Sequence, residues 1–306
     1  MKPNSRQQEV RRLLAERRAI MLAHNYQPAE IQDIADVVGD SLELSIKASK
    51  TEAEVIVFCG VHFMAETAAI LCPDKTVLLP RLDVGCCLAE SVKPAKLLAR
   101  KAELPGVPVV TYVNSTAAVK AESDICCTSA NAISVVNSLA APRVLMIPDQ
   151  NLALYCARHT SKEIEIITWE GWCNVHDGLS AAEVLEAKAA HPQAVFVAHP
   201  ECNPEVVDLA DFVRSTSGML KFVQEEPARE FIIGTEKGIL HRMRKENPGK
   251  VFYSPSKRLI CRPMKRITLT DVIAALKENR HQITVPEDIR LRALKAVERM
   301  LAVPRD

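Results

Sequence analysis

The ten cysteines of this 306-residue chain include no C-x-x-C pair, which removes the usual local signature of a zinc knuckle or a thioredoxin-type redox site. Charge of one sign is missing too. Lys plus Arg number 39 against 38 Asp plus Glu, a net charge of +1, and no basic run stands out. That balance gives no footprint for nucleic acid or another polyanion. No apolar run approaches the roughly 18 residues of a membrane span. Residues 1–18 are charged and amphipathic without an apolar stretch of the signal-peptide kind. Glycine is scarce, at 10 residues, and 48% of the chain is apolar, so disorder is excluded as well. The expectation is a cytoplasmic, soluble protein of two or three domains. Without a secretory signal, and with enough chain to build cores, its cysteines are not a disulfide framework. They remain buried small hydrophobes, redox thiols or metal ligands.

What the sequence does contain is a repeat. Ala23–Ser41 (AHNYQPAEIQDIADVVGDS) aligns without gaps to Ala198–Thr216 (AHPECNPEVVDLADFVRST). Ala-His opens both, Glu30 matches Glu205, Asp33 matches Asp208, and Ala35-Asp36 matches Ala210-Asp211. A weaker copy lies between them, with Tyr112 under His24, Asn114 under Tyr26, Asp124 under Asp36 and Ser129 under Ser41. The second half repeats too. Glu54–Gly60, Arg143–Pro148 and Glu230–Gly234 read as buried strands, each followed by a helix pattern (Phe63–Leu71, Gln150–His159, Gly238–Glu246) and a second strand (Thr76–Leu79, Ile164–Thr168, Lys250–Tyr253). Each copy ends in a loop with a cysteine: Cys86, Cys173 and Cys261, spaced 87 and 88 residues apart. The other seven cysteines follow no such rule.

Strands alternating with helices imply βαβ units and parallel sheets covered on both faces. The expected fold is α/β, three pseudo-threefold-related α/β/α sandwich domains with small parallel sheets and the active site at their central interface. The boundaries fall at 1–90, 91–178 and 179–284. Helices at Ser91–Ala102, Ser180–Ala190 and Thr268–Lys277 join one unit to the next, and each fits either neighbour. A final helix, Asp288–Met300, has no counterpart, and the 285–306 segment is a candidate to pack back on the first domain.

Ligands of such sheets bind beyond the carboxyl ends of the strands, where the three cysteine loops lie. Three thiolates on one axis are an incomplete tetrahedral set. A closed zinc site wants a fourth ligand, and a [4Fe–4S] cube with three cysteines leaves one iron open to water or substrate. A coincidence of buried thiols is the alternative. Hydroxyls stand where the following helices start (Ser41, Ser129, Ser215 with Thr216); at an N-cap they either cap the helix or bind carboxylate or phosphate. The strand ends supply His24, Tyr26, Tyr112, Asn114, His199 and Glu201, groups suited to proton transfer. His62, His159, His191, His241 and His281 are read as structural.

Several segments together resemble quinolinate synthases: MLAHNYQ (Met21–Gln27), GDSLEL (Gly39–Leu44), FMAETA (Phe63–Ala68), YVNSTA (Tyr112–Ala117), TSANA (Thr128–Ala132), CNVH (Cys173–His176), HPEC (His199–Cys202), STSGM (Ser215–Met219) and CRPMKRITL (Cys261–Leu269). The resemblance implies condensation of iminoaspartate with dihydroxyacetone phosphate to quinolinate in NAD biosynthesis, with loss of phosphate and water. It implies one [4Fe–4S] cluster per chain on Cys86, Cys173 and Cys261, acting as a Lewis acid. Cys87 beside Cys86 departs from the family pattern, and the G-C-x-L-A frame favours Cys86. By the same resemblance His24, Ser41, Tyr112, Asn114, Ser129, His176, His199, Glu201, Ser215 and Thr216 bind substrate, and Tyr26, Glu201, His199 and His24 are catalytic. The enzyme that makes iminoaspartate is a candidate partner; nucleic acid and membrane are not. Two rivals stay open: a diphthamide-synthase-like radical enzyme with the same three-domain plan, and a non-catalytic metal sensor.

Overall fold

The computed structural model describes residues 5–160 and 163–305, so the first four residues of the amphipathic N-terminal stretch lie outside it. One order of elements recurs three times. The first unit runs α1 (Ser5–Glu16), β1 (Ala19–His24), α2 (Ala29–Gln32), β2 (Val37–Gly39), α3 (Ser41–Lys50), β3 (Val55–Cys59), α4 (His62–Leu71), β4 (Thr76–Leu78) and α5 (Cys87–Ser91). The second runs α6 (Pro94–Glu103), β5 (Val109–Tyr112), α7 (Ala117–Lys120), β6 (Ile125–Cys127), α8 (Ala132–Ser138), β7 (Arg143–Ile147), α9 (Gln150–His159), β8 (Glu165–Thr168) and α10 (Asn174–Asp177). The third has α11 (Ala181–Ala190), β9 (Val195–Ala198), α12 (Pro204–Asp208), β10 (Phe212–Val213), α13 (Thr216–Glu225), β11 (Glu230–Gly234), α14 (Ile239–Glu246) and β12 (Val251–Tyr253), ending in a 3-10 turn at Pro263–Lys265. α15 (Leu269–Glu278) and α16 (Glu287–Leu301) follow.

Each unit folds as a four-stranded, all-parallel sheet with the same strand order, β2-β1-β3-β4, β6-β5-β7-β8 and β10-β9-β11-β12. The central strands are apolar almost throughout because helices cover both faces, and all five residues of β3 (VIVFC) are buried. The repeated aspartates now have a reason. Asp36 Oδ2 accepts the N–H of Met21, Asp124 that of Val109 and Asp211 that of Phe196, all at 2.7 Å. One side chain thus pins the edge strand to the start of the central one in every unit. An apolar residue there would leave that N–H unpaired at the sheet margin.

The units close into a ring by one repeated contact. α4 packs on α7, and α9 on α12. Arg158 on α9 meets Asp208 at 2.8 Å, and the equivalent Lys245 on α14 meets Asp33, at the end of α2, also at 2.8 Å. At the remaining joint the equivalent residues are Ile70 and Ala121, which share an apolar cluster with Ala293 of α16.

The joining helices α6 and α11 each precede the first strand of the following unit, as α1 does, and α15 packs on α1. The expected helix Ser91–Ala102 starts instead at Pro94, as α6, and Ser91 is the last residue of the short α5. After α15 the chain pairs with the edge of the first sheet, Ile283 N–H to Val77 O at 2.9 Å. α16 then lies chiefly against β6 and α7 of the second unit and, less extensively, against α4 of the first. No helix among the described residues is long and apolar enough to cross a membrane.

Candidate active site

A cavity of about 80 Å³ lies where the carboxyl ends of the three sheets meet. Its lining follows the repeat in rings of three. The ends of the first strands give His24, Tyr112 and His199; two residues on stand Tyr26, Asn114 and Glu201; Ser41 and Thr216, at the starts of α3 and α13, and Ser129, ahead of α8, give the hydroxyls. Cys86, Cys173 and Cys261 complete the wall, with His176 beside Cys173. Among the residues expected at the site, Ser215 alone is not in the lining. Its Oγ accepts the Gly218 N–H at 3.2 Å and caps α13.

The hydroxyl ring does not cap helices. Asp40 is the N-cap of α3, accepting Glu43 N–H at 2.8 Å, so Ser41 sits one place inside the helix. Ser129 lies ahead of α8, whose N-cap is Asn131, and it hydrogen-bonds the Tyr112 phenol. Thr216 Oγ1 meets the Tyr26 hydroxyl at 3.1 Å.

The first and third units present their histidines in one geometry. Tyr26 N–H donates to His24 Nδ1 at 3.2 Å, and Glu201 N–H to His199 Nδ1 at 3.3 Å. With Nδ1 accepting, the proton of each neutral ring belongs on Nε2. Burial holds His24 down to about 4, Asp40 opposing and Lys265 and His176 adding to the shift. Burial likewise pushes His199 well below the usual histidine range, helped by His176 and His24. Both rings are uncharged at neutral pH. Burial also raises the Tyr26 and Tyr112 phenols well above the ordinary value, so both stay protonated as donors. His176 stacks on His199 with centroids 4.4 Å apart, and Glu201 Oε2 lies 3.2 Å from His176 Nδ1 and 3.3 Å from His199 Nδ1.

Thr235 was not visible in the sequence reading. Its buried hydroxyl stands 2.7 Å from both the Tyr26 hydroxyl and His176 Nε2, joining the first unit to the second through the third. The strand reading stopped one residue short of it, at Gly234. Glu236, Lys265, Asp149 and Asp40 were missed as well.

The cysteine trio fits a metal cluster. In each loop the backbone N–H three residues on, from Ala89, His176 and Met264, bonds to the sulfur. Such N–H groups favour thiolate. Burial opposes them, pushing Cys261 up to about 11 and Cys86 and Cys173 higher. A cationic partner is what such sulfurs require to ionise. Asn114 Oδ1 and Glu201 Oε1 are buried with no hydrogen-bond partner among the described residues, and both residues line the same cavity. Cys87, by contrast, is exposed, and Cys59, Cys72, Cys126, Cys127, Cys156 and Cys202 are buried within the units. A smaller mixed set overlaps the trio: ligand atoms of Cys173, His176 and Glu201 lie within 4.8 Å of one another.

Fold and site together define an enzyme whose reaction centre is shared by three repeated α/β units. Comparison with known proteins gives the family. The chain matches the quinolinate synthetase A protein (NadA) family over residues 8–302, and it belongs to that family. It is 56% identical to the quinolinate synthase of Geobacter sp. (strain M21) over 97% of each chain. To that of Geobacter metallireducens it is 55% identical over the full length of both, and to that of Desulforudis audaxviator 57% over 96% of this chain and 97% of the relative.

Proposed function

We propose that this enzyme condenses iminoaspartate with dihydroxyacetone phosphate to quinolinate, releasing phosphate and water, in the cytoplasm and downstream of the enzyme that forms iminoaspartate. The observation that supports this is the convergence of three equivalent cysteines, three hydroxyls and six strand-end groups on one cavity. A [4Fe–4S] cluster on Cys86, Cys173 and Cys261, when bound, supplies an iron with an exchangeable position, a Lewis acid for loss of a hydroxyl.

The chain's own groups divide the remaining work. Ser41, Ser129 and Thr216 donate to the carboxylates and phosphate of two anionic substrates. The neutral imidazoles of His24 and His199 present Nε2–H to carbonyl oxygens, which a charged ring would do only at acid pH. Glu201, with one oxygen unpartnered and the other beside two imidazoles, accepts a proton from carbon or nitrogen. Tyr26 donates from a phenol oriented by Thr216 and Thr235.

Anaerobic reconstitution tests the reading. The protein is expected to be brown, with about four irons per chain as the cube requires, and to form a product with pyridine-dicarboxylate absorbance. Replacing Cys86, Cys173 or Cys261 by Ala abolishes the cluster, whereas Ala at Cys59, Cys72 or Cys156 leaves it. A colourless, fully active zinc form, on the mixed Cys173, His176 and Glu201 set for instance, would sink it. Cleavage of S-adenosylmethionine would point to the radical-enzyme alternative.

A further inference from the structure

All three cysteine loops are anchored by the same backbone bond. The N–H of the residue at the start of the preceding segment donates to the carbonyl two residues before the cysteine. His62 N–H meets Val84 O at 2.9 Å, Gln150 N–H meets Gly171 O at 2.7 Å, and Lys237 N–H meets Leu259 O at 3.0 Å. This bond fixes the register of the repeat, and it puts Val61, Asp149 and Glu236, each two residues past the end of its strand, at one equivalent position.

At that position the second and third units carry a tie the first lacks. Asp149 Oδ2 accepts the Cys173 N–H at 3.1 Å, and Glu236 Oε1 accepts the Cys261 N–H at 3.2 Å. Val61 has no side-chain acceptor. Both carboxylates are buried, at 1% and 0% exposure. Their second oxygens are braced: Asp149 Oδ1 takes the Leu152 N–H at 2.8 Å as the cap of α9, and Glu236 Oε2 takes the Gly238 N–H at 2.7 Å. Lys265 Nζ pairs with Glu236 at 2.9 Å and also donates to the carbonyl of Tyr26. Capping alone needs one oxygen. The other, in both units, is aimed at a cysteine amide.

We propose that Asp149 and Glu236 are positioning residues for the metal ligands, each locking the backbone of one cysteine, while the first unit, with Val61 at that position, has no such tie to Cys86. Cys173 and Cys261 are therefore pre-organised and Cys86 is the loosely held ligand. Through Lys265 the Glu236 tie also couples the Cys261 loop to the Tyr26 loop of the first unit. The inference rests on the cluster reading above, but its test separates the two.

The variants are Asp149→Asn and Glu236→Gln, near-isosteric changes that keep one oxygen for the existing brace and set an amide against the cysteine N–H. On anaerobically reconstituted protein, each is expected to take up iron and sulfide yet release iron to a ferrous chelator faster. The expected factor is roughly tenfold to a hundredfold, the scale of one lost hydrogen bond to a charged group. Thr116→Ala, at the cap of α7, serves as a stability control and leaves release unchanged. Amide exchange in the parent protein needs no variant: the Cys173 and Cys261 amides are expected to exchange more slowly than that of Cys86. Equal exchange at all three, or release from both variants at the control rate, would overturn the proposal. A parent that binds no iron would overturn the cluster reading, and amide exchange would still decide the role of the two carboxylates.

Discussion

The second unit and its two neighbours fold alike and bring different chemistry to the cavity. Where the first unit places His24 and Tyr26 and the third His199 and Glu201, the second places Tyr112 and Asn114. Neither of these changes charge near neutral pH, since burial raises the Tyr112 phenol and an amide does not titrate. At these two positions the second unit can hold a substrate by hydrogen bonds but cannot take its proton; the imidazole it brings to the cavity is His176, beside Cys173. At the equivalent positions the groups that can are on the first and third, linked through Tyr26, Thr216 and Thr235. Symmetry of the scaffold thus fixes where side chains point, and departures from that symmetry assign their tasks.

Substitution at equivalent positions is the way to break that division. The largest effect is expected at Glu201→Gln, which should lower kcat by on the order of 10²–10⁴, the usual contribution of a general base, with the cluster spectrum unchanged. Asn114→Ala, its counterpart in the second unit, should raise KM by roughly tenfold with little change in kcat, as for a lost binding contact. Steady-state kinetics of the pair checks this, and equal loss of kcat in both would erase the distinction.

A second contrast lies within the third unit. Thr216→Ala, and Ser129→Ala in the second, should cost about ten- to a hundredfold in kcat/KM, the scale of one hydrogen bond to a charged group, at nearly constant Tm. Ser215→Ala removes the cap of α13 and should do the reverse, lowering stability by about 1 kcal/mol with kinetics little altered. Melting curves beside kinetics separate the two neighbours.

A further effect concerns acid. His24 is neutral in the folded protein down to about pH 4, whereas the unfolded chain protonates it near 6.5. Over that window the unfolded state binds the extra proton, so stability falls as pH drops, by a total on the order of 3 kcal/mol. His24→Asn should flatten this slope in urea titrations of the iron-free chain between pH 6.5 and 4, while Tyr112→Phe should not.

Much of this architecture could be read from residues because the repeat is written in groups with local tasks. Asp36, Asp124 and Asp211 each staple a strand fifteen residues back, and apolar runs such as VIVFC mark strands buried on both faces. The cysteine trio was legible for the same reason, as one position sampled three times. Contacts between segments distant in the chain were not. Nothing local in Lys265 says that it closes on Tyr26 and Glu236, or in Thr235 that it faces Tyr26 and His176. Ser215 and Thr216 are adjacent hydroxyls in sequence, and only the start of α13 decides which caps and which lines the cavity. For α16, an amphipathic pattern announces that one face is covered but not by which unit.

The three joints of the ring respond differently to ionic strength. Those flanking the third unit carry Arg158 with Asp208 and Lys245 with Asp33, pairs with substantial solvent access. The joint between the first and second units is the apolar contact of Ile70 and Ala121, sealed by Ala293. Dissolved salt weakens exposed ion pairs within a Debye length of roughly 8 Å at physiological strength, whereas excluded salts strengthen apolar burial. Salt therefore weakens an exposed ion pair at each joint flanking the third unit, which carries Glu201 and His199, and leaves the apolar contact of Ile70 and Ala121 intact.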